Sequence, residues 1–114
     1  MKEFMLIMKG EYKAWESISA DEKQRLMEKY YSFVNRLKRE ERFKGGSPLK
    51  HGGMGLRSEK GIVIVDGPFA ETKETLNGYF IFSAADYEEA VSIARECPAL
   101  THGEIVEVFE MGSH

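Results

Sequence analysis

The sequence contains a single cysteine, Cys97, among its 114 residues. One thiol cannot form an intramolecular disulfide, nor can it supply a thiolate cluster for a metal ion. Histidine is almost as scarce. His51 and His102 are each followed by glycine, and neither has a second ligand at metal-binding spacing. The sequence therefore predicts no metal site and no resident cofactor.

Long hydrophobic runs are also absent. The run Phe4–Met8 near the N-terminus is far shorter than the roughly 20 apolar residues of a membrane span, and shorter than the apolar region of a signal peptide. We therefore expect a cytoplasmic protein that has no membrane partner.

Basic residues are not in excess. Lys and Arg number 16 against 19 Asp and Glu, which gives a net charge of −3. General nucleic-acid binding requires a basic face, so no nucleic-acid partner is expected. Hydrophobic residues at 42% and charged residues at 31% are typical of a soluble globular chain, and the length fits one domain, residues 1–114.

Hydrophobic spacing predicts the order strand, long helix, strands, polar loop, strand, helix, strand. Ser19 and Glu22 form a capping box that starts the long helix, which should end near Glu41. Strands are predicted at Phe4–Met8, around Pro48, at 53–58, at 61–65, at 78–82 and from Ile105 to Phe109. A second helix is predicted to start at Ser83 or Asp86 and to stop at Pro98. Its buried face should consist of Tyr87, Ala90, Val91, Ala94 and Cys97. This order predicts an α+β fold, a ferredoxin-like sandwich with two helices on one face of an antiparallel sheet.

Two strands carry a strong burial signal. Ile62–Val65 is β-branched throughout, which indicates a buried strand. In Phe4–Met8, residues of both parities are apolar, so both faces of that strand require cover. The helices can cover one face. We expect the other face to pack sheet against sheet in a homodimer.

The stretch 66–74, Asp66-Gly67-Pro68-Phe69-Ala70-Glu71-Thr72-Lys73-Glu74, concentrates charge in a loop between two strands. Its first three residues form a turn sequence that would pin Phe69 against the domain. One interpretation is a pocket whose carboxylates and lysine transfer protons or hold a polar small molecule. The other is structural, with the charges paired to fix the loop or to clasp a dimer.

The same nine residues resemble the signature of the YCII-related proteins, in the branch named DGPF after these letters. The resemblance extends over nearly the whole chain: Phe4–Met8, Trp15, Ser19 to Glu22, Leu76–Phe80, Glu89-Ala90, Cys97-Pro98 and Glu104–Val108 occur in family order. It implies a single YCII-like domain that dimerises as an α/β barrel.

The resemblance implies less about function. The wider superfamily includes a dehalogenase of chlorinated lactones and monooxygenases that need no metal, and one branch pairs a His on the first helix with an Asp. This sequence has no His between Ser19 and Glu41, so that dyad does not carry over. Relatives often end the last strand with Arg-Pro, whereas this chain has Val108-Phe109-Glu110.

Three functions remain open at this point. The first is a cofactor-free enzyme of proton transfer or elimination on a small polar metabolite. The second is a non-catalytic ligand-binding or dimeric interaction module, and the third, suggested by relatives joined to sigma-factor-like regions, is a transcription accessory domain. The candidate catalytic residues are Asp66, Glu71, Lys73, Glu74 and His102, and the candidate ligand-binding residues are Trp15, Phe69 and Tyr79.

Overall fold

The computed structural model describes residues 1–11, 16–67 and 75–112. Within these ranges the chain forms six strands, two α-helices and a 3-10 helix. The strands are β1 (Lys2–Gly10), β2 (Phe43–Pro48), β3 (Gly55–Glu59), β4 (Ile62–Asp66), β5 (Thr75–Ala84) and β6 (Ile105–Glu110); the helices are α1 (Ala20–Arg39), α2 (Tyr87–Ala94) and the 3-10 helix Pro98–His102.

Helix α1 begins and ends where its local sequence provides hydrogen bonds. The Ser19 hydroxyl accepts a 3.1 Å bond from the Glu22 backbone N–H, which confirms the predicted cap. At the other end, Glu41 takes a left-handed conformation with φ of 58°. This lets the Arg42 N–H reach the Leu37 carbonyl at 2.8 Å, closing the last turn.

Four strands form an antiparallel sheet in the order β2-β5-β1-β6. The two central strands, β1 and β5, are neighbours in space although α1 and three other strands separate them in sequence. The helices pack on one face of this sheet. The α+β class and the ferredoxin-like arrangement predicted from the sequence are therefore confirmed.

The core lies between this sheet and the helices. Alternate residues of β1, Phe4, Leu6 and Met8, point to the helices and are buried. Phe82 of β5 pairs with Phe4 in register and stacks against it at 6.2 Å between ring centroids. The core is completed by Phe33, Leu37, Phe80, Ala84, Ala90, Ala94, Cys97 and Ala99.

The other side of the sheet, which we call the open face, has no described helix over it. Met5 and Ile7 of β1 are half-buried there by their strand neighbours. Their neighbours in register include Tyr79, Ile81 and Phe109, and Ile105 of β6 lies on the same face opposite Lys9. Lys9 and Glu107 form a 2.6 Å ion pair among these side chains.

Strand β5 contains a bulge at Asn77. Met8 pairs with Gly78 and Lys9 pairs with Leu76, so Asn77 is an extra residue opposite β1. An extra residue reverses which side chains face each side of a sheet. Beyond the bulge Thr75 pairs with Gly10, which continues the helix-facing parity of Phe4, Leu6 and Met8.

Strands β3 and β4 form a separate two-stranded hairpin, here called the arm. Lys60 and Gly61 make its two-residue turn with φ of 49° and 80°, as a tight hairpin requires. The radius of gyration, 16.1 Å, exceeds the roughly 13 Å of a compact domain of this length, as a projecting arm would produce.

Two burial predictions are wrong. The run Ile62–Val65 was expected to be buried, but Ile62, Val63 and Val65 are 68%, 61% and 56% exposed, because β3 is the one strand that pairs with β4 among the described residues. Among the residues predicted to form the buried face of the second helix, Ala90, Ala94 and, just after α2, Cys97 are buried, whereas Tyr87 and Val91 are about half exposed. The helix is short, and the Tyr87 ring lies at its rim against Phe4, 5.1 Å between centroids.

Candidate functional site

A group of polar side chains lies at one end of the sheet, on the helix-covered side. The Asn77 amide nitrogen donates a 2.6 Å hydrogen bond to a carboxylate oxygen of Glu104. The Thr75 hydroxyl lies 3.1 Å from the Asn77 side-chain oxygen and 3.4 Å from the Gly10 carbonyl. We call Gly10, Thr75, Asn77 and Glu104 the sheet-end cluster.

The backbone of four elements positions this cluster. Glu104 lies just before β6 and keeps the parity of Val106 and Val108, which pack on the core. Its N–H bonds the Ala99 carbonyl of the 3-10 helix at 3.2 Å. The Asn77 carbonyl accepts from the Leu49 N–H at 2.9 Å, so the chain leaves the sheet for the arm at this same end.

Gly10 provides the space that the cluster occupies. A Cβ atom at Gly10 would lie 2.9 Å from the Glu104 Cγ and 3.3 Å from the Asn77 amide nitrogen. Real Cβ atoms do not approach other atoms so closely, so a side chain here would displace Glu104. The absence of a side chain at Gly10 is therefore part of how the carboxylate is placed.

The Glu104 carboxylate acts electrostatically on two buried groups. Burial raises the pKa of the Tyr30 phenol well above its ordinary value, and the negative charge of Glu104 raises it further. The Tyr30 hydroxyl donates to the Met8 sulfur at 3.6 Å. Burial also raises the pKa of the Cys97 thiol to about 11, with a smaller contribution from Glu104. Both groups stay neutral at pH 7, so Cys97 is a core residue and not a thiolate nucleophile.

Asp66, the first residue of the charged stretch, lies at the end of β4. Its carboxylate accepts from the Arg57 guanidinium, which also bonds the Glu59 carboxylate at 3.1 Å. All three side chains are about half exposed. Asp66 is thus paired with Arg57 of the same arm. Such pairing is what we expect if the charges of the stretch 66–74 have a structural role.

Two other candidate residues occupy different places. His102 is the last residue of the 3-10 helix, half-buried and two positions before Glu104. Tyr79 is half-buried on the open face, opposite Ile7. The open face is the other side of the sheet from the cluster, so His102 lies near the cluster along the chain, whereas Tyr79 lies across the sheet from it.

The remaining candidates lie outside the described residues: Trp15, Phe69, Glu71, Lys73 and Glu74. Both stretches that contain them adjoin the cluster along the chain. Residues 12–15 begin two positions after Gly10, and residues 68–74 end directly before Thr75.

Sequence reasoning missed Glu104, Asn77 and Tyr30. The sequence placed Glu104 directly before the last predicted strand and gave it no functional role. One signal was present: Asn is unfavourable inside a strand, and Asn77 lies directly before the strand predicted at 78–82. Such a residue commonly indicates a bulge or a hydrogen-bonding role.

The described residues provide no group of three or more His, Cys, Asp or Glu side chains placed to hold a metal ion. None of the described helices is long and apolar enough to cross a membrane. Two open clefts of about 450 and 440 Å³ lie away from the cluster. One lies along α2 beside Tyr87 and Arg95, and the other at the arm beside Lys60 and Ile62.

The fold and the cluster define an α+β sandwich domain with a polar site at one end of its sheet, between sheet and helices. The chain belongs to the YCII-related family, because the model of the YCII-related domain matches residues 3–112. Membership in the DGPF branch stays a prediction.

One curated relative is similar to part of the chain and adds no function. Over 42 residues the chain is 47% identical to an uncharacterised protein of Rhizobium meliloti (strain 1021). The matched stretch is 36% of this chain and 34% of that protein, so the chain matches about a third of the relative's length.

Proposed function

We propose that this protein is a cofactor-free enzyme that catalyses proton transfer or elimination on a small polar metabolite. The observation that carries the proposal is the half-buried Glu104 carboxylate, held by Asn77 above the space left by Gly10. A fixed carboxylate between a sheet and its covering helices is suited to general base catalysis.

In this proposal Glu104 accepts a proton from a carbon or oxygen of the substrate. The electron pair released moves into an adjacent carbonyl group or expels a leaving group. Asn77 holds the carboxylate in one orientation, since its amide oxygen faces Thr75 while its nitrogen faces Glu104. Glu104 is the catalytic residue, and Asn77 and Thr75 are positioning residues.

The charged stretch joins the cluster along the chain and supplies further candidates. Glu71, Lys73, Glu74 and His102 are proposed to return the proton or to balance negative charge on the substrate, with Trp15 and Phe69 as apolar lining. Asp66 is the weakest of these candidates, because Arg57 already pairs with its carboxylate.

The test is hydrogen–deuterium exchange on candidate substrates, since proton abstraction in D₂O replaces a substrate C–H with C–D. A panel of hydroxy acids, keto acids and lactones is incubated with the protein and followed by proton NMR. Replacing the base should lower the exchange rate at least about 100-fold in Glu104→Gln. Glu107→Gln is the matched control, because Glu107 lies on the open face and is paired with Lys9.

Two results would overturn the proposal. One is a panel on which the parent protein catalyses neither exchange nor elimination. The other is catalysis that survives in Glu104→Gln at the rate of the parent.

A second function is favoured by a different surface. We propose that two copies pack open face to open face as a homodimer, because this face carries Met5, Ile7, Tyr79 and Ile81 without a described helix to cover it. An apolar sheet face whose side chains stay partly exposed is typical of an interaction site. In the non-catalytic alternative, this interaction is the protein's role.

Sedimentation velocity of the parent and of Ile81→Asp tests the homodimer. A charge placed in the apolar face should convert the dimer to a monomer while the circular dichroism spectrum stays unchanged. A parent that sediments as a monomer at all concentrations up to about 100 μM, which would imply an affinity weaker than about −5.5 kcal/mol, would exclude this role.

A further inference from the structure

The arm has one charged face and one apolar face. On the charged face, Arg57 binds both Glu59 and Asp66 across the hairpin. On the apolar face, Leu56 pairs with Val65 and Ser58 pairs with Val63. The arm is therefore amphipathic, and on its charged face Arg57 is already paired with Glu59 and Asp66.

The apolar face has no cover among the described residues. Leu56, Val63 and Val65 are 68%, 61% and 56% exposed. A single two-stranded hairpin is only marginally stable in water unless a third strand or another surface packs on it. Within residues 1–11, 16–67 and 75–112, the sheet containing β3 and β4 has no third strand. The arm therefore requires a partner surface to be a stable element.

We propose that the apolar face of the arm docks on a second copy of this chain, against that copy's open face. The inference rests on the proposed homodimer and adds to it a specific contact. The arm is the part of each chain that crosses to its partner.

Area favours a second copy over an unrelated partner. The three apolar side chains expose on the order of 300 Å², well below the roughly 800 Å² that each partner contributes to a stable interface. The arm alone is thus too small to hold a separate protein. A second copy presents both an arm and an open face, and two-fold symmetry uses each of these surfaces twice.

The chemistry of the two surfaces is also matched. The apolar face of the arm carries no charged side chain. On the open face, Lys9 and Glu107 neutralise each other at 2.6 Å, and Glu3, which shares the parity of Met5, lies at the far end of β1. The most exposed apolar side chains of the open face are Ile105 and Phe109 on the edge strand β6, 49% and 48% exposed. These side chains are the proposed contact for Val63 and Val65.

The test compares substitutions on the two faces of the same hairpin. In Val63→Thr/Val65→Thr, each valine is replaced by a residue of nearly the same shape that keeps strand propensity but adds a hydroxyl. Ile62→Thr is the matched control, since Ile62 is 68% exposed but lies on the charged face. Sedimentation gives the dimer dissociation constant of each variant.

We expect the double variant to raise the dissociation constant at least about tenfold and Ile62→Thr to change it less than about twofold. A second readout is amide hydrogen exchange of residues 55–66, measured above and below the dissociation constant of the parent. Dimer formation should slow exchange in these residues in the parent and not in the double variant.

The outcomes separate this inference from the proposed homodimer. If the parent is a dimer that Ile81→Asp dissociates, but the double variant dimerises like the parent, the arm proposal is wrong and the open-face dimer stands. Equal weakening by Ile62→Thr would also overturn the arm proposal, because the integrity of the hairpin and not its apolar face would then be what matters. A monomeric parent would overturn both.

Discussion

Asn77 and Glu104 are 27 positions apart in the sequence, yet their side chains are joined by a 2.6 Å hydrogen bond. The β5 bulge makes this possible, because the extra residue turns Thr75 and Asn77 toward the side of the sheet that α1 covers. The bulge therefore determines where Asn77 holds the Glu104 carboxylate, and the position of that carboxylate determines how strongly it raises the pKa of Tyr30.

Gly10→Ala should destabilise the fold and disturb the cluster. The new Cβ would meet the Glu104 Cγ at 2.9 Å, so the Asn77–Glu104 bond must break or shift, at a cost of about 1–2 kcal/mol. Urea unfolding measures the change. Gly45→Ala is the control within the same sheet, since a Cβ there meets nothing within 4 Å and should change stability by less than about 0.5 kcal/mol. Equal effects at both positions would contradict this account of Gly10.

Glu41→Gly should stabilise the protein. Glu41 has φ of 58° after α1, a conformation that costs an ordinary residue about 1 kcal/mol and costs glycine little. We expect a net gain of about 0.5–1 kcal/mol in the free energy of unfolding. Glu41→Ala, which keeps the strain and removes the carboxylate, should show no such gain. If alanine stabilises as much as glycine, repulsion by the charge of Glu41 would be the better explanation.

Arg42 should make stability depend on acidity. Its guanidinium lies 2.6 Å from Glu89 and 3.0 Å from Glu40. Arg42, followed by the Ala85 N–H, lowers the pKa of Glu89, and Arg36 together with Arg42 lowers the pKa of Glu40. Because both folded-state pKa values lie below the ordinary value of 4.5, the stabilisation is present above pH 4.5 and is lost as pH falls through the lowered values.

Thermal unfolding of Arg42→Gln from pH 7 to pH 3 checks this sign. The variant should melt below the parent at pH 7, and the gap should narrow as the pH falls below 4.5. Arg39→Gln removes one positive charge from the last turn of α1 and serves as the control for net charge. A gap for Arg42→Gln that is constant over the whole range would show that these carboxylates are not involved.

Cys97 should react slowly in the native protein. Burial raises the pKa of its thiol to about 11, two units above the ordinary 9.0, which leaves about a hundredth of the usual thiolate at pH 8. Ellman's reagent should therefore label native protein at least about 100-fold more slowly than protein in guanidinium. Rapid stoichiometric labelling without denaturant would mean that Cys97 is accessible.

The sequence was sufficient to predict most elements of the fold. Ser19 at the start of α1, Asp86 at the start of α2 and Pro98 after it act through contacts a few residues away, and such signals are readable locally. The order of strands and helices then limits the sheet to few arrangements, and the ferredoxin-like one was predicted correctly.

Burial and the cluster were harder to predict, because both depend on distant contacts. The β-branched run Ile62–Val65 correctly indicated a strand, but nothing in that run specifies what packs on it, and its burial was predicted wrongly. Glu104 meets Asn77 only because of a bulge in another strand. The candidates Trp15, Phe69, Glu71, Lys73 and Glu74 lie outside the described residues, so for them the sequence remains the only guide.

The described part of the chain measures 48 × 43 × 18 Å, so its thinnest dimension holds one layer of helices and one sheet. Its hydrophobic core is consequently a flat layer between the sheet and the helices. Helix α2, with eight residues, covers the part of that layer around Phe4 with Tyr87 and Ala90. Detaching this one short helix would therefore expose Phe4 to water while β1 and β5 stay paired.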